Sequence, residues 1–304
     1  MTDFIDEFAQ HDFSQAKTKA FLSRIASIFK PSESELLPFD QAKELIKPDA
    51  EVYKGVTTVP IDRIVGSEGR YRDFNRHFLP NKEHLRQRWV SVDKTHYEDI
   101  ILPPVKLYEM GGVYFVRDGN HRVSVARSKG QLDIDAEVVS LQSKIQLEPD
   151  MTIEEIRARV IQYEKEEFYK ETDYLAVVGI DDLDFTDVGR YDIIRDHINV
   201  HKYYLNQSDM AEIPFSQALL SWHENVFQPI VLAIKEEKLL QLFPHRTAAD
   251  LYLYLVQYWD DLKRSENKEV GVGEAAKTFK KHIKKGPLPL VDPFFGIVKK
   301  NWSK

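Results

Sequence analysis

The run Val113-Tyr114-Phe115-Val116-Arg117-Asp118-Gly119-Asn120-His121-Arg122-Val123-Ser124-Val125-Ala126-Arg127-Ser128-Lys129-Gly130 sets the organisation of the first half of the chain. It reads as a buried strand, a one-glycine turn and a short helix that ends in glycine. His121 and Arg122 fall in the first turn of that helix. A helix start offers backbone N–H groups with no intrahelical partner and the positive end of the helix dipole, so it attracts anions. The two side chains add donors at the same place, and a phosphate is the natural occupant.

Working outward, Pro103 to Met110 reads as a second strand, joined to the first through the Gly111-Gly112 hairpin turn. Val59-Pro60-Ile61-Asp62-Arg63-Ile64-Val65 reads as an earlier strand. It is followed by the arginine-rich Gly69 to Phe78 and a helical segment from Lys82 to Val90. Ile134 to Ser140 is a further strand. These pieces predict an α/β unit over residues 53–143. Before it, residues 1–52 form a helical arm. Phe13, Ala16, Ala20, Phe21, Ile25, Ile28 and Phe29 recur at near-helical spacing, Pro31 breaks the pattern, and a short helix runs from Asp40 to Ile46. Such an arm packs on its own chain or on a second copy, so a homodimer is among the expected partners.

After the α/β unit, Thr152-Ile153-Glu154-Glu155 has the form of a capping box and opens a linker helix, placed within 144–172. A helical domain is expected over 173–265, with one strand at Tyr174 to Ile180 and two helices, Ser216 to Leu240 and Thr247 to Leu262. A basic tail, 266–304, carries Lys277, Lys280, Lys281, Lys284 and Lys285 and then a Pro-Leu-Pro-Leu stretch. The predicted class is α+β: a small α/β domain followed by a mainly α-helical one.

Composition narrows the function classes. Across 304 residues the formal charge is −7, which opposes broad coating of DNA but allows a local basic face. There is no cysteine, so thiolate metal sites, disulfides and cysteine nucleophiles are excluded. No run approaches the roughly 18 apolar residues of a membrane span, and Met1 to Glu7 lacks the apolar core of a signal peptide, so the cytoplasm is expected and no membrane partner is.

The order Val59 to Ile64, arginines, helix, Leu102-Pro103-Pro104-Val105, glycine hairpin, Asp118-Gly119-Asn120-His121-Arg122 and a strand near Val138 resembles the ParB/sulfiredoxin-like fold family over residues 56–142. The resemblance implies nucleotide phosphates bound at the Gly-x-x-Arg turn. Sulfiredoxins carry a cysteine directly after the glycine; Asn120 stands there, which removes that chemistry. Partition proteins of the ParB type, which bind CTP and DNA, read Gly-Glu-Arg-Arg at the turn. The turn is most similar to the Asp-Gly-His-His-Arg of archaeal ADP-dependent free-serine kinases and differs only at Asn120. Those kinases place a catalytic glutamate after the first strand, and Glu68 lies in that region. The second half, through His201 to Leu205, Ile213-Pro214-Phe215, Trp222 to Phe227 and Arg246 to Tyr252, resembles a helical domain of unknown function that follows such units in bacterial proteins.

Each candidate residue has a structural reading beside the functional one. Gly119, Asn120, His121 and Arg122 are assigned to phosphate binding; structurally, Gly119 allows an unusual backbone angle, Asn120 caps the helix and Arg122 pairs with a carboxylate. Asp118 beside a phosphate is useful as a Mg²⁺ ligand, as an orienting partner of Arg122 or as a base, and otherwise pairs with an arginine. Arg70 and Arg72 are assigned to the phosphate pocket, and Arg86 and Arg88 to a solvated helix face. Glu68 and His121 complete the catalytic candidates. His96 reads as a surface histidine. His197 and His201, four residues apart, have metal-ligand spacing but lack the adjacent glutamate, and no metal is assigned.

The function expected is a nucleotide-binding protein that takes ADP, ATP or CTP, with Mg²⁺ as a companion ion, acting as an NTPase or small-molecule kinase. The alternatives are a ParB-like DNA-binding regulator with nucleotide as its switch, and a protein-interaction adaptor. The missing helix-turn-helix and the acidic balance weigh against DNA.

Overall fold

A computed structural model describes residues 2–26, 36–98, 100–207, 212–266 and 270–285. Ile28, Phe29, Pro31 and the Pro-Leu-Pro-Leu stretch lie outside the described residues. The chain is α+β and divides into two compact units, Met1–Val160 and Ile161–Lys304.

The first unit contains a mixed six-stranded sheet in the order β1-β3-β5-β4-β6-β2. Its strands are β1 (Leu37–Pro38), β2 (Ala50–Pro60), β3 (Ile64–Ser67), β4 (Val105–Met110), β5 (Val113–Asp118) and β6 (Asp133–Gln142). Strands β1, β3 and β5 run parallel, β4 returns antiparallel to β5 through the predicted hairpin, and β2 lies antiparallel to β6 at the edge. The single strand predicted over Val59–Val65 is two strands. Strands β2 and β3 occupy well-separated places in the sheet, so the chain must leave one before entering the other. Pro60 has no N–H to extend the ladder, and Ile61–Arg63 form the 3₁₀ turn that makes the crossing.

Helices α1 (Thr2–Ala26), α2 (Phe39–Ile46), α3 (Arg86–Tyr97) and α4 (Asn120–Ser128) complete this unit. Helix α3 runs seven residues past the predicted end at Val90, to Tyr97. The arm packs on its own chain. Ala9, Phe13, Ala16 and Ala20 form a buried stripe at helical spacing. Phe13 meets Trp89 of α3 edge to face, 5.6 Å between ring centroids. Trp89 is fully buried and donates its indole N–H to Ser124 Oγ of α4 at 2.9 Å. Phe21, expected on the buried stripe, is exposed. The three helices are further tied by Lys129, which pairs with Asp12 of α1 and with Asp93 of α3 at 3.2 Å and donates to Tyr97 Oη at 2.8 Å.

The second unit is helical: the C-terminal part of α5 (Ile153–Thr172), then α6 (Tyr174–Val178), α7 (Arg190–Asn206), α8 (Phe215–Trp222), α9 (Gln228–Glu236), α10 (Ala248–Glu266) and α11 (Val272–Lys285). Two expectations fail here. Tyr174–Ile180, read as a strand from its β-branched residues, is the short helix α6, closed by Gly179 at φ 79°. Its fully buried Tyr174 stacks on Tyr169 and donates to Asp182 Oδ1, so packing overrides local propensity. The helix predicted over Ser216–Leu240 is interrupted by a π turn at His223–Phe227, where the Gln228 N–H reaches His223 O. The next residue, Pro229, lacks an N–H, and the wider turn absorbs that defect. Lys277, Lys281 and Lys284 form the outer face of α11, opposite buried Ala275, Ala276 and Phe279.

Asp93 has no solvent exposure, and neither oxygen accepts an aligned hydrogen bond; its ion pair with Lys129 is its main compensation. Burial raises its pKa from 3.8 to about 6, against the pull of Lys129. A carboxyl with a raised folded-state pKa supports the fold fully below its unfolded pKa, and that support is lost as pH rises through the folded value. The stability of Asp93→Asn relative to wild type is therefore expected to improve as pH rises from about 3.5 to about 7.5. Denaturant melts at both pH values check this; a relative stability that stays flat or falls over that range contradicts it.

Candidate functional site

Strands β3 and β5 are parallel neighbours, so their carboxyl ends open on the same side, where ligands of α/β sheets commonly sit. Strand β5 ends at Asp118 and α4 starts at Asn120, which leaves Gly119 alone to turn the chain. Gly119 has φ 104°, in the left-handed region. A Cβ there would lie 2.7 Å from Val105 Cγ1 and 3.0 Å from Arg122 Nε and Nη2, so the position excludes any side chain on two grounds.

The first intrahelical bond of α4 runs from Val123 N–H to Gly119 O. No side chain caps the helix. Among the described residues no acceptor outside the helix takes the N–H groups of Asn120, His121 and Arg122, which leaves them for a ligand or for water. The expectation that Asn120 caps the helix is corrected: it is the first helical residue, 6% exposed, and its Oδ1 is buried without a hydrogen-bond partner.

A cleft of about 600 Å³ lies over this helix start. Asp118, Gly119, Asn120, His121 and Arg122 form one wall, Arg70 comes from the arginine-rich loop, and His84 and Arg88 come from the approach to α3 and from α3 itself. Three arginines, Arg70, Arg88 and Arg122, line the cleft together with one carboxylate, Asp118. The loop that delivers Arg70 is anchored by the fully buried Phe74 and Phe78 and by Asn75, whose Oδ1 accepts from the His77 and Leu79 N–H groups. Arg70 itself lies 3.7 Å from Asp73, which also receives Lys82.

The three arginines are not equivalent. Arg122 donates Nη1–H to Pro103 O and, at 2.9 Å, to Pro104 O, and Nη2–H to Asp118 Oδ2 at 2.7 Å. It braces the turn against the entry to β4, with its Nε–H and one Nη2–H unspent. Arg88 has an exposed side chain and no hydrogen bond or ion pair among the described residues. The sequence reading placed Arg88 on a solvated helix face, whereas the structure puts it on the cleft wall. Arg88 and Val92, four apart on α3, and His84, in the 3₁₀ turn just before it, line the cleft. That spacing, next to the core positions Leu85 and Trp89, is the signal that reveals them. Arg86 is a structural residue, bonded to Glu83 and Gln10 and lying over the Phe13 ring.

Two candidates are not on this wall. Arg72 is exposed and lies over the Tyr71 ring, 5.3 Å from its centroid. Glu68 follows β3, with its N–H bonded to Val116 O, but its side chain does not line the cleft. His197 and His201 bond to Tyr252 Oη and Ser221 Oγ, each at 3.0 Å. Among the described residues no three His, Asp or Glu side chains converge as a metal site.

His121 is half-buried, edge-on to Phe74 at 5.5 Å, with Nδ1 buried and unpartnered. Burial, helped by the charges of Arg70 and Arg88, lowers its pKa to about 4. It is neutral at pH 7 and holds no proton for an acid role there. A histidine with a depressed folded pKa supports the fold fully above its unfolded value of 6.5, and that support is lost as pH falls toward 4. An imidazole titration followed by NMR is expected to place its midpoint near pH 4; a midpoint above 6 contradicts the burial. Gly119→Ala is expected to cost about 2–4 kcal/mol, from left-handed strain plus the contact with Val105, as read from a chemical melt.

No protein-family model matches the chain, and no curated protein matches it in sequence.

Proposed function

We propose that the first unit binds the phosphates of a nucleotide in this cleft. The observation that carries the reading is the pairing of three unclaimed N–H groups at the start of α4 with the unpaired guanidinium of Arg88. Both are donor sets with no acceptor among the described residues, and both border the same cleft. Phosphate oxygens satisfy them together, and charge-assisted bonds of this kind are about twice as strong as neutral ones. Arg70 adds positive charge. Arg122 acts mainly as the brace that holds the turn open, with two donors to spare.

The strand and helix order around the turn supports the resemblance to the ParB/sulfiredoxin-like fold, in which phosphates bind at this turn. ADP, ATP and CTP are the ligands to try first. A Mg²⁺ ion would arrive with the nucleotide, with Asp118 as the carboxylate at hand. A cytoplasmic setting fits such a ligand.

The test is a thermal-shift and titration series with ADP, ATP and CTP, with and without Mg²⁺, on wild type, Arg88→Ala and Arg122→Ala. A ligand that binds only the folded state raises its melting temperature in proportion to occupancy. Arg88→Ala is expected to weaken binding roughly tenfold while leaving the free protein as stable as wild type. Arg122→Ala is expected to destabilise the free protein as well, because three internal bonds go with it. No shift with any nucleotide, or full affinity in Arg88→Ala, overturns the proposal.

A further inference from the structure

A second cleft, of about 580 Å³, lies on the other side of Arg122 and shares Leu102, Pro103 and Arg122 with the first. Two aspartates distinguish it from the basic cleft. The remaining walls are apolar at Pro104 and Ile134 and carry Thr58, His96, Gln131, Asp133 and Asp135 as polar groups. Asp133 and Asp135 are two residues apart on β6, so their side chains project from the same face of the sheet. Asp135 Oδ1 accepts from Thr58 Oγ1 at 3.1 Å, and Oδ2 has no hydrogen bond among the described residues. Leu132, on the rim, is 82% exposed, an unusual cost for a leucine beside a cavity.

We propose that this second cleft takes the nucleoside of the ligand whose phosphates occupy the basic cleft, and that Asp135, with Asp133, selects ribose over deoxyribose. The proposal rests on the phosphate reading above. Leu102, Pro103 and Arg122 border both clefts, so a ligand anchored by phosphates at the start of α4 lies next to the second one. The occupant must be neutral and rich in donors where the carboxylates are, because a second anionic group is repelled there. It must also be flat and apolar where Leu132 and Pro104 are. A ribonucleoside meets both demands. Its vicinal hydroxyls donate to a carboxylate, and its base covers the exposed leucine.

Titration calorimetry on the full chain with Mg²⁺ separates this inference from its foundation. The ligands are pyrophosphate, ADP, 2′-deoxy-ADP and CDP, and the proteins are wild type and the Asp133→Asn/Asp135→Asn double variant. Wild type is expected to bind pyrophosphate, to bind ADP or CDP more tightly than pyrophosphate, and to prefer ADP to its 2′-deoxy form roughly tenfold, the worth of one hydrogen bond to a charged group. In the double variant that preference is expected to fall to about twofold while pyrophosphate affinity stays unchanged. Both aspartates are exposed, so the amide variant keeps the fold, and retained pyrophosphate binding verifies it. Pyrophosphate binding with no gain for either nucleoside diphosphate, with equal ribose and deoxyribose affinities, or with a preference that survives in the double variant overturns this inference alone. Absence of pyrophosphate binding overturns the phosphate reading and this one with it.

Discussion

Everything at the candidate site depends on one steric constraint. The chain must leave a central strand and begin a helix within a single residue, and that residue has no room for a Cβ. Gly119 satisfies it, and the consequence is positional. The first turn of α4 is brought to the carboxyl end of the sheet with its N–H groups free, while the rest of the helix is buried through Val123, Val125 and Ala126. Arg122 then locks the turn to the carbonyls of Pro103 and Pro104, which precede β4. The two prolines have no N–H, so they offer only acceptors at that point, and a guanidinium fork is a natural complement.

The helices around the turn have a supporting role. Helix α1 buries an alanine-rich stripe and Phe13 against α3, and Trp89 of α3 reaches α4 through Ser124. Lys129, at the other end of α4, gathers Asp12, Asp93 and Tyr97. The position of Arg88 therefore follows from packing on the opposite side of its own helix. Phe74 plays the corresponding part for the loop that carries Arg70, since it is buried in the core and touches His121.

Much of this was legible in the sequence, and the exceptions have physical causes. The hairpin at Gly111-Gly112, the strand before Asp118 and the helix after it follow from period-two and period-3.6 patterns and from glycine placement, which are local properties. The split of Val59–Val65 into two strands was not legible, because it follows from where β2 and β3 sit in the sheet. Tyr174–Ile180 misled for a similar reason: valines and isoleucine favour a strand locally, and a buried tyrosine decided otherwise. At the candidate site, the single-glycine turn and the helix start were readable from Gly119 and the residues beside it. The roles of the arginines were not. Arg122, read as the phosphate grip, has most of its donors engaged by the protein, and Arg88, read as surface, lines the cleft with no hydrogen bond or ion pair among the described residues. Which carbonyls a guanidinium meets depends on residues nearly twenty positions away in the chain, and no local pattern carries that.

The most direct test of the account is to titrate pyrophosphate into ¹⁵N-labelled protein and follow the backbone amide signals. The account predicts that the largest shifts fall on Asn120, His121 and Arg122, with the Arg88 side chain responding and the amides of the second unit unmoved. Shifts centred away from the start of α4, or none at saturating pyrophosphate, would contradict it.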